Sequence, residues 1–341
     1  MKRIIDVNVN RATEALRILE EISRFYLNDE NFSRELKFIR HEISDASDKA
    51  YNALLNSRDV ENDVGTDIKN PTKRNDLMNI FKANFKRLEQ SLRVLSEYAP
   101  LCGMNFETFE KSRYASYTLE KKMYEQLQNK LNKYRLEDKK LYLVTNSDKF
   151  DTEDEFLNAV ASALKGGVQI VQLREKTADA AKIIRLGKKI RELCSIYNAL
   201  FIVNDRIDIA QITKADGVHL GQDDADIKSA RAILDHNTIV GISTHCPEQA
   251  LKAVQDGADY IGVGPVFETP TKAGRQAVGL EYVEWAVNNV NIPFFAIGGI
   301  DTENVKMVTG LGAKRVAVVR AVINAANPET AAETFTKFLL E

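Results

Sequence analysis

The segment Gln172-Leu173-Arg174-Glu175-Lys176 follows the apolar run Val168-Gln169-Ile170-Val171, so a buried strand delivers an amide and two cations to one rim. Such a rim suits a polyanion. Two later apolar runs end in Asn204-Asp205 and lead into Gly221-Gln222-Asp223-Asp224, which adds carboxylates. Asp205 and Asp224 together suit Mg2+, which takes one or two carboxylates and fills its remaining positions with substrate phosphate and water. Taken singly, these groups have plainer uses. Charged pairs often mark a solvated face, Asp205 can cap the next helix, and Asp223 can do the same one strand later, leaving Asp224 for the metal.

Further along, Gly241-Ile242-Ser243-Thr244-His245 and Gly264-Pro265-Val266-Phe267-Glu268-Thr269-Pro270-Thr271-Lys272 add hydroxyls and another lysine. Gly298-Gly299 and the end of the run Val316 to Arg320 offer a second anion site, since glycine permits close approach and the last two loops of a barrel often hold phosphate through N–H groups. His219 and His245 fall near these segments and read as satisfied structural imidazoles.

The elements that must carry these groups are short β-branched runs alternating with helical segments. Strands are expected at 141–145, 168–174, 200–205, 217–220, 239–243, 260–266, 294–299 and 315–320. Near-continuous apolar strands with helices between them imply a parallel sheet covered on both faces, and closure at eight gives a (β/α)8 TIM barrel of the α/β class. An open doubly wound sheet is the competing arrangement.

Before the barrel the spacing changes. Ala12, Ala15, Leu16, Leu19, Ile22 and Phe25 recur at three and four residues, and helices are expected near 10–27, 31–57, 75–99 and 105–135. This is an all-α bundle occupying residues 1–135, with the barrel at 138–341 and the charged stretch 133–140 as junction. Within the bundle, the segment from Asn8 to Glu21 matches that from Asn84 to Glu97, with Asn, Arg, Leu, Arg, Leu and Glu in register. Two copies point to a duplicated hairpin rather than a solenoid. Asn8 with Arg11, and Asn84 with Arg87, are expected at helix starts, where backbone N–H groups favour anions. The plain alternative is a capping Asn with surface ion pairs.

At 341 residues the chain exceeds one ordinary core. Its 44% apolar and 28% charged residues are those of a globular protein, and a net charge of −2 argues against a nucleic-acid surface built on bulk positive charge. Cys102, Cys194 and Cys246 show no metal-ligand spacing and read as reduced thiols. No export signal or run of ~20 apolar residues is visible. The expectation is a cytoplasmic homo-oligomer acting on small molecules, with no nucleic-acid or membrane partner.

The barrel motifs as they stand, QLREK, ND, GQDD, GIST, GPVFETPTK and AIGGI in order, closely resemble thiamine phosphate synthase. The resemblance implies that hydroxymethylpyrimidine diphosphate is joined to hydroxyethylthiazole phosphate, releasing diphosphate. By matching position it implies that Gln172, Arg174, Lys176, Asn204, Ser243 and Lys272 hold the pyrimidine diphosphate, with Arg174, Lys176 and Lys272 assisting its departure. Asp205 and Asp224 would hold Mg2+, while Thr269, Thr271, Gly299, Val319 and Arg320 hold the thiazole phosphate. Arginine at 320 departs from the serine of some members. A rival from another class is a retired relative that binds thiazole phosphate as an isomerase or regulator.

The first half resembles a helical domain fused to some of these synthases and associated with hydroxymethylpyrimidine phosphate kinase activity. That implies ATP as phosphate donor, although no Walker-type glycine-lysine loop is present. The proposed cradle uses Arg11, Arg17, Arg87 and Arg93, with Asp59 or Asp63 near Mg2+. The alternative is a non-catalytic dimerisation module.

Overall fold

The computed structural model describes residues 1–59, 61–63, 74, 76–235, 237–269 and 276–340. The chain divides into two compact units, Met1–Lys130 and Leu131–Glu341.

In the first unit, α1 (Lys2–Glu21) buries Ile5, Ala12, Ala15, Leu16 and Leu19 along one stripe. It passes into a π-helical segment, Ile22–Leu27, that stops at Asn28 in the left-handed conformation. Asp29 starts α2 (Glu30–Asp48) by accepting from the Phe32 N–H at 2.9 Å. A short α3 (Tyr51–Leu55) follows. Asp76 likewise caps α4 (Leu77–Tyr98), which buries Phe81, Phe85, Leu88, Leu92 and Leu95. Helix α1 packs against both α2 and α4. The last helix, α5 (Glu107–Glu137), continues through the stretch expected as a junction, and the division between units falls inside it.

The start of α1 corrects one expectation. Burial of Ile5 extends the helix back to Lys2, so Asn8 lies inside α1 and Asn84 inside α4 rather than at helix starts. Interior N–H groups are spent on carbonyls one turn back, so these positions offer no helix-end N–H groups to an anion. Instead the two amides repeat one structural contact: Asn8 Nδ2 donates to Ile4 O and Asn84 Nδ2 to Ile80 O, each at 2.8 Å.

The second unit is a closed parallel barrel in the order β1 to β8. Its strands are Leu141–Thr145, Ile170–Leu173, Leu200–Asn204, Gly217–Leu220, Ile239–Thr244, Tyr260–Val263, Phe294–Ile297 and Val316–Val318. Around them run α6 (Glu153–Lys165), α7 (Ala180–Ile196), α8 (Ile207–Ile212), α9 (Ile227–Ile233), α10 (Pro247–Gln255), α11 (Gly279–Asn289), α12 (Val305–Thr309), α13 (Arg320–Ile323) and α14 (Pro328–Leu340). Every stave appears where the apolar runs place it. Several are shorter, because residues such as Arg174, Asp205 and Arg320 leave the ladder to form the rim.

The end of α5 closes the barrel floor. Leu136 is fully buried in the interior cluster with Tyr142, Ile170, Ile202, Tyr260 and Phe295. Around it, Asn132 donates to Asp259 at 3.2 Å, ahead of β6, and Arg135 donates to Asp216 at 2.5 Å, ahead of β4. Arg135 also reaches Asn237 O at 2.7 Å, and Arg315 reaches back to Glu137 O at 2.9 Å. With the amino ends of the staves occupied, the opening lies at their carboxyl ends. Among the described residues no helix is long and apolar enough to cross a membrane.

Candidate active site

The carboxyl ends of the strands enclose a cavity of about 340 Å³. Its lining includes Gln172, Arg174, Asn204, Ser243, Thr269, Gly299, Val319 and Arg320, which the sequence assigned to two anion sites and which here share one chamber. Thr271 and Lys272 lie outside the described residues.

Beside the chamber, the loops after β2, β3 and β4 bring three charges together. Lys176 is ion-paired with Asp205, and Asp205 in turn meets Asp224. Asp205 holds a left-handed backbone, φ 61°, and its N–H donates to His219 O at 2.9 Å. It caps no helix, for α8 begins after Arg206 with no side-chain cap. Asp224 accepts from the Gly221 N–H at 2.7 Å, while the cap of α9 is Asp226, so Asp223 has no capping role.

The two carboxyls titrate in opposite directions. Burial pushes Asp205 up, against the pull of Lys176, and neighbouring Asp224 adds to the rise. Burial also pushes Asp224 upward, but its hydrogen bonds with Asp205 and Gly221 and the charge of Lys176 outweigh that, and it is lowered. Touching carboxyls resist joint ionisation, and a divalent cation relieves that conflict. Among the described residues no set of three or more His, Cys, Asp or Glu side chains converges on a metal position. A two-carboxylate set fits Mg2+ completed by substrate oxygens, and does not fit a cation held by protein alone.

The remaining rim residues have identifiable work. Glu175, the acidic member of QLREK, is buried and accepts from both the N–H and hydroxyl of Ser147, at 2.8 and 3.0 Å, fastening the loop after β2 to that after β1. Gly299 sits at φ 66°, and a Cβ there would collide with Phe267 and Glu268 O; this lets bare backbone face the chamber. Arg320 opens α13 on the chamber wall.

The sequence reading passed over Tyr142 and Tyr260. Both hydroxyls lie inside the barrel, 2.9 Å apart, with Gln172 Nε2 donating to Tyr142 at 2.7 Å. His219 is satisfied on both sides, by Tyr260 at 2.9 Å and Ser243 at 2.8 Å, and also lines the chamber. The available signal was a tyrosine within each of two otherwise apolar staves, at positions where interior side chains alternate.

In the helical unit three of the four arginines expected in the cradle already have partners on their own helices. Arg17 pairs with Glu20 and Glu21, Arg93 pairs with Glu97 on its own helix, Arg87 reaches Asn84 at 3.4 Å, and Arg11 is exposed. Asp59 and Asp63 do meet, around Arg3, next to the Arg58–Asp6 pair at 2.7 Å.

Comparison with known proteins gives two family matches. The thiamine monophosphate synthase model matches residues 141–322, and that of the ThiD2 family matches residues 3–122. A thiamine-phosphate synthase of Nostoc punctiforme is 44% identical, with 96% of this chain and 90% of that protein covered. One from Synechocystis sp. is 44% identical, covering 96% and 93%. Among solved structures, thiamine phosphate pyrophosphorylase from Pyrococcus furiosus matches with 38% identity and a TM-score of 0.55, over 62% of this chain and 97% of that one.

Proposed function

Since this chain belongs to the thiamine monophosphate synthase family, we propose that its chamber joins a pyrimidinylmethyl diphosphate to a thiazole phosphate by letting the leaving group go first. The activity is that of a thiamine-phosphate synthase. The methylene C–O bond breaks, its electron pair leaves with diphosphate, and the ring-stabilised cation accepts the thiazole nitrogen lone pair to form the C–N bond. No proton is transferred in that sequence, so no general base is needed.

The observation that carries this reading is the convergence of Lys176, Asp205 and Asp224 beside a chamber lined by Gln172, Arg174, Asn204 and Ser243. Cations and donors aimed at developing negative charge stabilise departure more than they stabilise the bound ester. Arg174 and Lys176 take the diphosphate, with Lys272 assigned from the sequence. Asp205 and Asp224 hold Mg2+, which when bound offsets the charge of the departing diphosphate. Thr269, Gly299, Val319 and Arg320 of the same chamber hold the thiazole phosphate, with Thr271 assigned from the sequence. An isomerase or regulator binding only the monophosphate would not require the carboxylate pair. Incubating the full chain with both substrates and Mg2+ tests the reading by formation of thiamine phosphate.

For the helical unit we propose the second activity that the ThiD2 match supports: ATP-dependent phosphorylation of the pyrimidine monophosphate to the diphosphate. The cluster of Arg3, Asp59 and Asp63 is a better starting place for its site than Arg17 or Arg93, whose charges are met along their own helices. The test is diphosphate formation from ATP and monophosphate by the full chain with thiazole phosphate left out, so that the barrel has no partner with which to consume the product. Its absence favours a non-catalytic helical module.

A further inference from the structure

A continuous hydrogen-bonded chain crosses the barrel from Gln172 to Ser243, and its proton order follows from one end. The Gln172 amide nitrogen can only donate, and it donates to the Tyr142 oxygen at 2.7 Å. Tyr142 is 2% exposed, and among the described residues its hydroxyl proton has one acceptor in reach, the Tyr260 oxygen at 2.9 Å. Tyr260 must then donate onward to His219 Nδ1 at 2.9 Å. That makes Nδ1 the acceptor and places the imidazole proton on Nε2, which donates to Ser243 Oγ at 2.8 Å. With its oxygen receiving from His219, the Ser243 hydroxyl has its own proton left for the chamber.

From this order we infer that Tyr142, Tyr260 and His219 are positioning residues that set the Ser243 hydroxyl as a donor to the diphosphate. The inference rests on the placement of Ser243 at the diphosphate under Proposed function. Aligned donors polarise one another, so each link strengthens the next. The fold makes room for the chain specifically: a Cβ on Gly241 would run into the Tyr260 ring. Phe295 stands edge-on to both tyrosine rings, at 5.2 and 5.6 Å, and fixes their planes from below. A satisfied core histidine alone would not need four links in one direction ending at a chamber-lining hydroxyl.

The test is a double-mutant cycle in the full chain, reading KM for the pyrimidine diphosphate, with KM for the thiazole phosphate as the unaffected control. Ser243→Ala and Tyr260→Phe are each expected to raise the first KM by about fivefold, the scale of one net hydrogen bond. The double variant is expected to be no worse than Ser243→Ala alone, because the tyrosine acts only through the serine. Multiplying effects in the double variant would overturn the inference, as would an unchanged KM in Tyr260→Phe. Tyr142→Phe, which breaks the same chain one link earlier, must show the same pattern and serves if Tyr260→Phe fails to fold. An unchanged KM in Ser243→Ala alone would instead remove Ser243 from the diphosphate site, while thiamine phosphate formation by the unaltered chain keeps the synthase reading separate.

Discussion

Lys176, carried by the loop after β2, is ion-paired with Asp205 at the end of β3, and the same carboxyl meets Asp224 from the loop after β4. The rim therefore contains both a cation for phosphate oxygens and the carboxylates for a metal. Removing one carboxylate leaves Lys176 in place but halves the protein's share of the cation's ligands.

Asp205→Asn is accordingly expected to lower kcat by about 10²-fold, the scale of losing one preorganised electrostatic contributor, and to raise the Mg2+ concentration needed for half-maximal rate. Initial rates against Mg2+ measure both. An unchanged metal dependence would take Asp205 out of the metal site.

Arg320 lines the chamber beside Gly299 and opens a helix too short to supply an anion site by itself. Arg320→Ala is expected to raise KM for the thiazole phosphate with little change in kcat, as loss of uniform binding requires. If KM stays the same, only the backbone at this position is used.

Leu136 fills the floor under Tyr142, Tyr260 and Phe295. Leu136→Ala is expected to destabilise the barrel by about 2–5 kcal/mol through the cavity it leaves, whereas Leu136→Met should cost less than about 1.5 kcal/mol. Urea titrations followed by near-ultraviolet circular dichroism separate the two. Equal stability of both variants would mean that the floor does not depend on this side chain.

Cys194 is buried, and burial, with a smaller contribution from Asp216, pushes its thiol up to about 12. The raised value keeps it protonated throughout neutral and mildly alkaline pH, and only the thiolate alkylates readily. At pH 8 the folded chain is expected to incorporate iodoacetamide at Cys102 and Cys246 ahead of Cys194, as read by peptide mass. Rapid labelling of Cys194 in folded protein would contradict its placement.

Much of the barrel was legible because each stave is a short β-branched run and the polar residues follow it at once. Gln172, Arg174, Asn204 and Ser243 could be placed on one rim because each stands at the end of its apolar run, while their common role at the diphosphate came from the family resemblance. What could not be read was cross-barrel contact. Tyr142 and Tyr260 are far apart in sequence, and nothing local indicates that their hydroxyls meet. The helical unit was misread at Asn8 for a different reason: the β-branched Ile4-Ile5 pair discourages a helix by propensity, while burial of Ile5 against the bundle overrides it. Asp223 and Asp226 illustrate a third limit, since either could cap α9 by type and only the turn geometry chooses Asp226.

In the proposed reaction the barrel releases diphosphate before the C–N bond of thiamine phosphate forms. The most direct measurement is a single-turnover reaction of the full chain with pyrimidinylmethyl diphosphate, thiazole phosphate and Mg2+, repeated with a diphosphate substrate whose ring carries an electron-withdrawing substituent. Thiamine phosphate is expected with the natural pair, and a bond-forming rate lowered by orders of magnitude with the electron-poor ring, because the developing cation loses its stabilisation. Equal or faster reaction of the electron-poor substrate would contradict that order of steps, and no thiamine phosphate from the natural pair would remove the synthase reading itself.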